Sequence, residues 1–159
     1  MGKGVVIDCN VLKDLANPNG TSDGIECRAW AENLRRKGTE VRISGIANYE
    51  SRRKLIQIGS MDGIAKLDEV VGIYGVLPVT DVVLRIAARN WADLKIGMGR
   101  NGTNDLRLDA DVIIGAEARM FAEENGIEVT IATDNVQHFV PLVDMKYVVR
   151  ATQWRNILP

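Results

Sequence analysis

Cysteine and histidine are scarce in this chain, and the scarcity narrows its chemistry. Of 159 residues only Cys9, Cys27 and His138 are of these types. The cysteines have no CxxC-like spacing, so a disulfide scaffold is not indicated and a reduced, cytoplasmic setting fits. A structural zinc site draws mostly on Cys and His, and this supply is too small for one. A Cys9–His138 catalytic pair would need the fold to bring distant residues together; packing beside a strand end is the simpler reading of Cys9. Long apolar runs are also missing: none approaches the ~18 residues that cross a bilayer. The opening Met1-Gly2-Lys3-Gly4-Val5 enters a strand without the apolar core of a secretory signal. The expectation is an intracellular chain with no membrane role. Excess charge is absent too. A net charge of −1 gives no global pull toward nucleic acid, so any such contact must come from a local basic patch.

What remains is an ordinary globular composition, 46% hydrophobic and 26% charged, long enough to bury its own core as one domain over residues 1–159. Short apolar, β-branched runs alternate with helical periodicity. Residues 5–7, 40–44, 76–79 and 128–132 read as strands, with a possible edge strand at 146–149. Helices fit 10–15, 24–37 (capped by Ser22 or Asp23), 45–58 (capped by Ser44), 61–74 (capped by Ser60 and stopped by Gly75), 81–95 and 109–125. The Gly- and Asn-rich stretch 96–108 has no apolar period and reads as a loop. Strands separated by helices imply a three-layer α/β/α fold with a mostly parallel central sheet.

Carboxylates recur where those strands end. Asp8 follows the first strand, Glu50 lies in the helix after the second, Asp109 and Asp111 open a later helix, and Thr133-Asp134-Asn135 follows strand 128–132. The carboxyl ends of parallel strands converge on one crevice, where ligands bind. Each locus also has a plain structural use: Asp8 or Asn10 as a helix cap, Glu50 as a solvated face residue, Thr133-Asp134-Asn135 as a polar turn. Asp109 and Asp111, two positions apart, share a site only if Asp109 precedes the helix proper, because ~100° per residue otherwise turns them about 200° apart. Asp111 shares the apolar face of Ile114 and Ala118, where a carboxylate without a partner is costly. Carboxylates gathered in one crevice repel and call for a cation, and hard oxygen donors suit Mg²⁺ or Mn²⁺.

The ordered set resembles the PIN-domain ribonucleases, particularly the small VapC-like branch. Asp8-Cys9-Asn10 is similar to the family's opening Asp-x-Asn/Ser, and Ser44 to Glu50 to its Ser-x₅-Glu element. Asp111-Val112-Ile113-Ile114-Gly115-Ala116 is similar to Asp-x-x-Ile-x-Ala, and Thr133-Asp134-Asn135 with Phe139 to the closing Thr-x-Asp/Asn. The chain departs from the pattern in carrying Cys9 between Asp8 and Asn10, and Asn135 at the fourth acid position with Asp134 beside it. The resemblance implies a metal-dependent endoribonuclease acting on single-stranded or loop RNA. Asp8, Glu50, Asp111 and Asp134, with Asp109 as a further candidate, would hold Mg²⁺ or Mn²⁺. Asp134 or Asn135 would complete the shell or orient water, and Asn10, Ser44 and Thr133 would support the site. It further implies a toxin role, a homodimer and a small antitoxin partner.

RNA approaching an acidic crevice needs cations nearby. The candidates are Arg52, Arg53 and Lys54 beside Glu50, with Arg100 and Arg107 in the 96–108 stretch. A solvated helix face is the alternative reading of the first three, and core packing that of Trp30, Trp91 and Trp154. Two rival functions stand beside the nuclease. A haloacid-dehalogenase-type phosphatase would carry Asp-x-Asp after the first strand, where this chain has Asn10. A non-catalytic PIN-like module binding RNA or protein would have no use for unpaired carboxylates.

Overall fold

β1 (Lys3–Ile7) is buried on both faces because its side chains alternate across the sheet, Val5 and Ile7 to one side and Val6 to the other. The computed structural model describes residues 1–98, 107–142 and 149–159. Within them β1 pairs in parallel with β2 (Glu40–Ile43) and β3 (Glu128–Ala132), and β3 pairs with β4 (Val149–Thr152), giving the order β2-β1-β3-β4. The chain runs outward from β1 to β2 and later returns to β1's other flank as β3. The carboxyl ends of β1 and β3 therefore flank a topological switch point.

Val5, Ile7, Val41 and Ile43 pack against α1 (Cys9–Leu15), α2 (Ser22–Arg36) and α4 (Met61–Tyr74), through Leu12, Leu15, Trp30, Leu34, Leu67 and Val70. On the opposite face Val6, Val129 and Ile131 pack against α5 (Asp81–Met98) and α6 (Arg107–Asn125), through Val83, Ala87, Ile114 and Phe121. These are the three layers read from the sequence. Among the described residues no helix is long and apolar enough to cross a membrane.

Several boundaries differ, each for a local reason. Residues 76–79 form only a single bridge, Ile43 to Val76, because Pro78 has no N–H to continue the ladder. Thr21, rather than Ser22 or Asp23, caps α2, its hydroxyl accepting from the Gly24 N–H at 3.2 Å. α5 runs on to Met98 and α6 starts at Arg107, so both ends of the expected 96–108 loop are helical, and residues 99–106 lie outside the described residues. β4 starts at Val149, and residues 146–148 of the expected edge strand lie outside the described residues. One further turn, α7 (Val136–Phe139), was not read from the sequence.

α3 (Gly45–Gln57) leaves β2 where space is shortest. A Cβ on Gly45 would stand 2.5 Å from the Leu77 carbonyl oxygen and 2.8 Å from Glu117 Oε1. Gly45→Ala is therefore expected to destabilise the protein by about 2 kcal/mol or more, through forced backbone displacement. A shift in urea midpoint at unchanged slope measures it.

Candidate active site

Asp8 sits at the switch point, 4% exposed and capping α1. Its Oδ1 accepts from the Cys9 N–H and its Oδ2 from the Thr133 hydroxyl at 2.6 Å. Thr133 follows β3, and its Oγ1 also accepts from the Asn135 N–H at 3.0 Å, so one hydroxyl ties the β1 and β3 ends together. Burial pushes the Asp8 carboxyl up, the Thr133 and Cys9 hydrogen bonds oppose this, and the charge of Glu50 adds to the rise.

Glu50 is brought over from α3. Its Oε2 accepts from the Cys9 thiol at 3.0 Å, and Arg53 lies 3.5 Å from Oε1. Burial first, then the hydrogen bond to Glu50 and the charges of Asp8 and Glu50, pushes the Cys9 thiol far up, so it is no thiolate nucleophile at neutral pH. Asp111 comes from α6 with its side chain 13% exposed. Burial, and next the charge of Asp8, raises it to about 6; His138 opposes the rise and Glu50 adds to it. The charge of Glu50 thus acts on Asp8, and the charges of Asp8 and Glu50 act on Asp111.

The other expected residues divide. Asp109 lies within α6, exposed, and about 200° around the helix from Asp111 at ~100° per residue. The pre-helical position that would let it share the site is not realised, because α6 begins two residues earlier. Asp134 is exposed, and its charge raises Asp14, so it acts toward the α1 side. Asn135 heads α7 without a side-chain cap bond. Asn10 is exposed along a groove of about 880 Å³ between α1, α3 and the start of α4, also lined by Cys9, Lys13, Glu50, Arg53 and Lys54. Arg52 turns instead to Asp68 at 2.7 Å. Arg100 and the side chain of Arg107 lie outside the described residues.

Two contacts, one of His138 and one of Glu117, escaped the sequence reading. His138 places Nδ1 3.1 Å from Asp111 Oδ2, rather than meeting Cys9. Its position three residues after Asn135, one turn along a helix, was the available signal. Glu117 is 2% exposed and binds the start of α3. A charge within the small-residue run Gly115-Ala116-Glu117-Ala118 was the clue there.

As placed, no group of three His, Cys, Asp or Glu side chains among the described residues is arranged to hold a metal ion. Asp8 is held by Thr133, Glu50 by Cys9 and Arg53, and Asp111 by His138. The donor chemistry nevertheless fits a hard divalent cation: three carboxylates, two of them largely buried and raised by that burial first and by neighbouring charge in addition. To share one ion, Glu50 and Asp111 must exchange their present partners.

By sequence, no family model and no curated protein matches the chain. Solved structures do. A chain of VapBC2 from Rickettsia felis, solved bound to a DNA fragment from its promoter, superposes with a TM-score of 0.62 at 16% identity, covering 94% of this chain and 99% of that one. A chain of VapBC-1 from nontypeable Haemophilus influenzae gives 0.62 at 18% identity, covering 96% and 99%. The chain has the VapC-like PIN-domain fold.

Proposed function

We propose that this chain is a single-domain, metal-dependent endoribonuclease acting on single-stranded or loop RNA. The observation that carries the reading is the mutual electrostatic influence of Asp8, Glu50 and Asp111 at the switch point of a parallel sheet. Three carboxylates with only Arg53, 3.5 Å from Glu50, and His138, 3.1 Å from Asp111, beside them favour a divalent ion. Asp8, Glu50 and Asp111 would hold Mg²⁺ or Mn²⁺, which would supply an activated water and offset charge developing on the scissile phosphate.

The protein's own groups do the rest. Thr133 keeps Asp8 aimed through its hydroxyl, and Cys9 holds Glu50 at the mouth of the groove. Asn135, its side chain free of any cap bond, completes the shell or orients water, with Asp134 the alternative. Lys13, Arg53 and Lys54 line the groove beside Glu50 and give phosphates a place to dock without reading sequence. The structural neighbours belong to VapBC2 and VapBC-1, a likeness consistent with a toxin role and a small antitoxin partner for this chain, to which the proposal adds a homodimer.

The test is cleavage of a mixed-sequence single-stranded RNA in Mg²⁺ or Mn²⁺ beside an EDTA control. Cutting in either metal that EDTA abolishes supports the reading. Equal cutting in EDTA overturns it. RNA binding without cutting or metal uptake would leave a PIN-like binding module.

A further inference from the structure

We propose that Glu117 is a positioning residue of the carboxylate site: it pins the first turn of α3 to α6 and so sets Glu50 against Asp111. This deepens the nuclease reading and rests on it. Glu117 Oε2 accepts from the Ser44 hydroxyl, its Oε1 accepts from the Gly45 N–H at 2.7 Å, and the nearby Ile46 N–H further favours the ionised carboxylate. Ser44 Oγ in turn accepts from the Ala47 N–H at 3.2 Å, so its hydroxyl hydrogen is left for Glu117. A carboxylate at a helix N-terminus complements the exposed N–H groups and the helix dipole. Here the anion comes from another helix, so the cap is also a tertiary joint.

The joint lies close to the chemistry along both helices. Glu50 follows Gly45 by five residues, roughly 7.5 Å of axial rise, and Asp111 precedes Glu117 by six, roughly 9 Å. Ser44 extends β2, Asp8 extends β1, and Cys9 joins Glu50 back to Asp8, so the joint ties α6, which carries Asp111, to a ring that carries Asp8 and Glu50. The ring has little slack beside Gly45, where Glu117, the Leu77 carbonyl and the Val79 side chain leave no room for a Cβ. Its own surroundings are simple. Burial raises the Glu117 carboxyl to about 7, opposed by the Ser44, Gly45 and Ile46 donors, and no charged group figures among the causes. Gln in its place offers one acceptor oxygen where the carboxylate offers two, and turns an N–H toward a donor.

Two measurements test this. First, amide NMR on the metal-free protein should show the Gly45 and Ile46 N–H resonances moving with pH in the wild type, with a midpoint near 7, and not in Glu117→Gln. Resonances that ignore pH in both would overturn the joint itself. Second, Mn²⁺ affinity is measured by electron paramagnetic resonance at pH 8, above the raised Glu117 value of about 7, so that the wild-type carboxylate is ionised. The expected result is a Kd raised about tenfold in Glu117→Gln and further in Glu117→Ala if that variant folds, with Leu34→Ala, a destabilising change beneath α2, staying within twofold. Wild-type affinity in folded Glu117→Gln, or equal weakening in Leu34→Ala, would leave Glu117 a merely structural residue. No Mn²⁺ binding by the wild type would sink the nuclease reading and this inference with it, whereas binding unaffected by Glu117→Gln sinks the inference alone.

Discussion

Asp111→Asn is expected to make the metal-free protein more stable while removing its activity. The Asp111 carboxyl is raised from 3.8 to about 6 by burial, then by the charge of Asp8 and, after the opposing His138, that of Glu50. Ionised at pH 7.5, it carries a cost on the order of 2 kcal/mol, allowing for its partial exposure and its contact with His138. An amide of the same shape removes the repulsion and keeps a polar group beside the imidazole. Thermal melting in EDTA should rise by roughly 2–6 °C for a gain of about 1–2 kcal/mol. Metal-dependent RNA cleavage should fall at least ~100-fold, since changes even to residues that only orient metal ligands cost 10–100-fold. Stability gained together with function lost is the mark of a site held in an unfavourable electrostatic arrangement. A variant that melts lower and cuts RNA normally would mean that Asp111 is a structural partner of His138.

The metal-free wild type is expected to be more stable at pH 5 than at pH 8, by a few kcal/mol. Asp8, Asp111 and Glu117 all have carboxyls raised in the fold, the last two to about 6 and about 7 from 3.8 and 4.5. A raised carboxyl pKa means the folded state holds its proton more tightly than the unfolded chain. The contribution is therefore fully present below the unfolded values near 4 and is lost as pH rises through the folded values. The window runs from about pH 4 to about pH 7, opposite to the usual loss of stability in acid. Glu117 alone, almost fully buried, accounts for on the order of 3 kcal/mol of it at 1.36 kcal/mol per unit. Added Mn²⁺ should raise stability most at the alkaline end, where the ligands are charged, because an ion that binds only the native state stabilises by mass action. Urea midpoints in EDTA at pH 5, 6, 7 and 8 measure the slope. A midpoint that climbs steadily over that range would contradict the strained-carboxylate account.

Much of the scaffold was legible because local chemistry and tertiary context agree. β1 reads as buried on both faces because Val5, Val6 and Ile7 leave no polar side to expose. Ser44 and Ser60 cap α3 and α4, and Gly75, at φ 75°, takes the backbone past α4 as a C-terminal glycine should. The failures fall where pattern and context part. Residues 76–79 look like a strand by side chain, but Pro78 lacks the N–H a strand needs. The apolar face favoured Asp111 over Asp109, but whether Asp109 stood before the helix as a second ligand depended on where α6 begins, which is Arg107.

The convergence of Asp8, Glu50 and Asp111 could be argued from topology alone, since all three depend on strand ends or the helices beside them. What each carboxylate touches could not. That Cys9 holds Glu50, that His138 meets Asp111, and that Arg52 turns to Asp68 are facts of three-dimensional packing between segments far apart in sequence. Glu117 was hidden for the same reason. Its partner, Ser44, lies 73 residues earlier, and a charge in the small-residue run 115–118 marks an unusual buried acid without saying which helix's first turn it meets.

The central claim is that the three carboxylates form a divalent-cation site, and calorimetric titration of Mn²⁺ into the wild type and Asp111→Asn at pH 7.5 tests it most directly. The account predicts saturable binding by the wild type, with proton release that grows toward pH 6 as Asp111 loses its proton to the ion, and loss of binding in the variant. Absence of binding by the folded wild type, or undiminished binding in the variant, would contradict it.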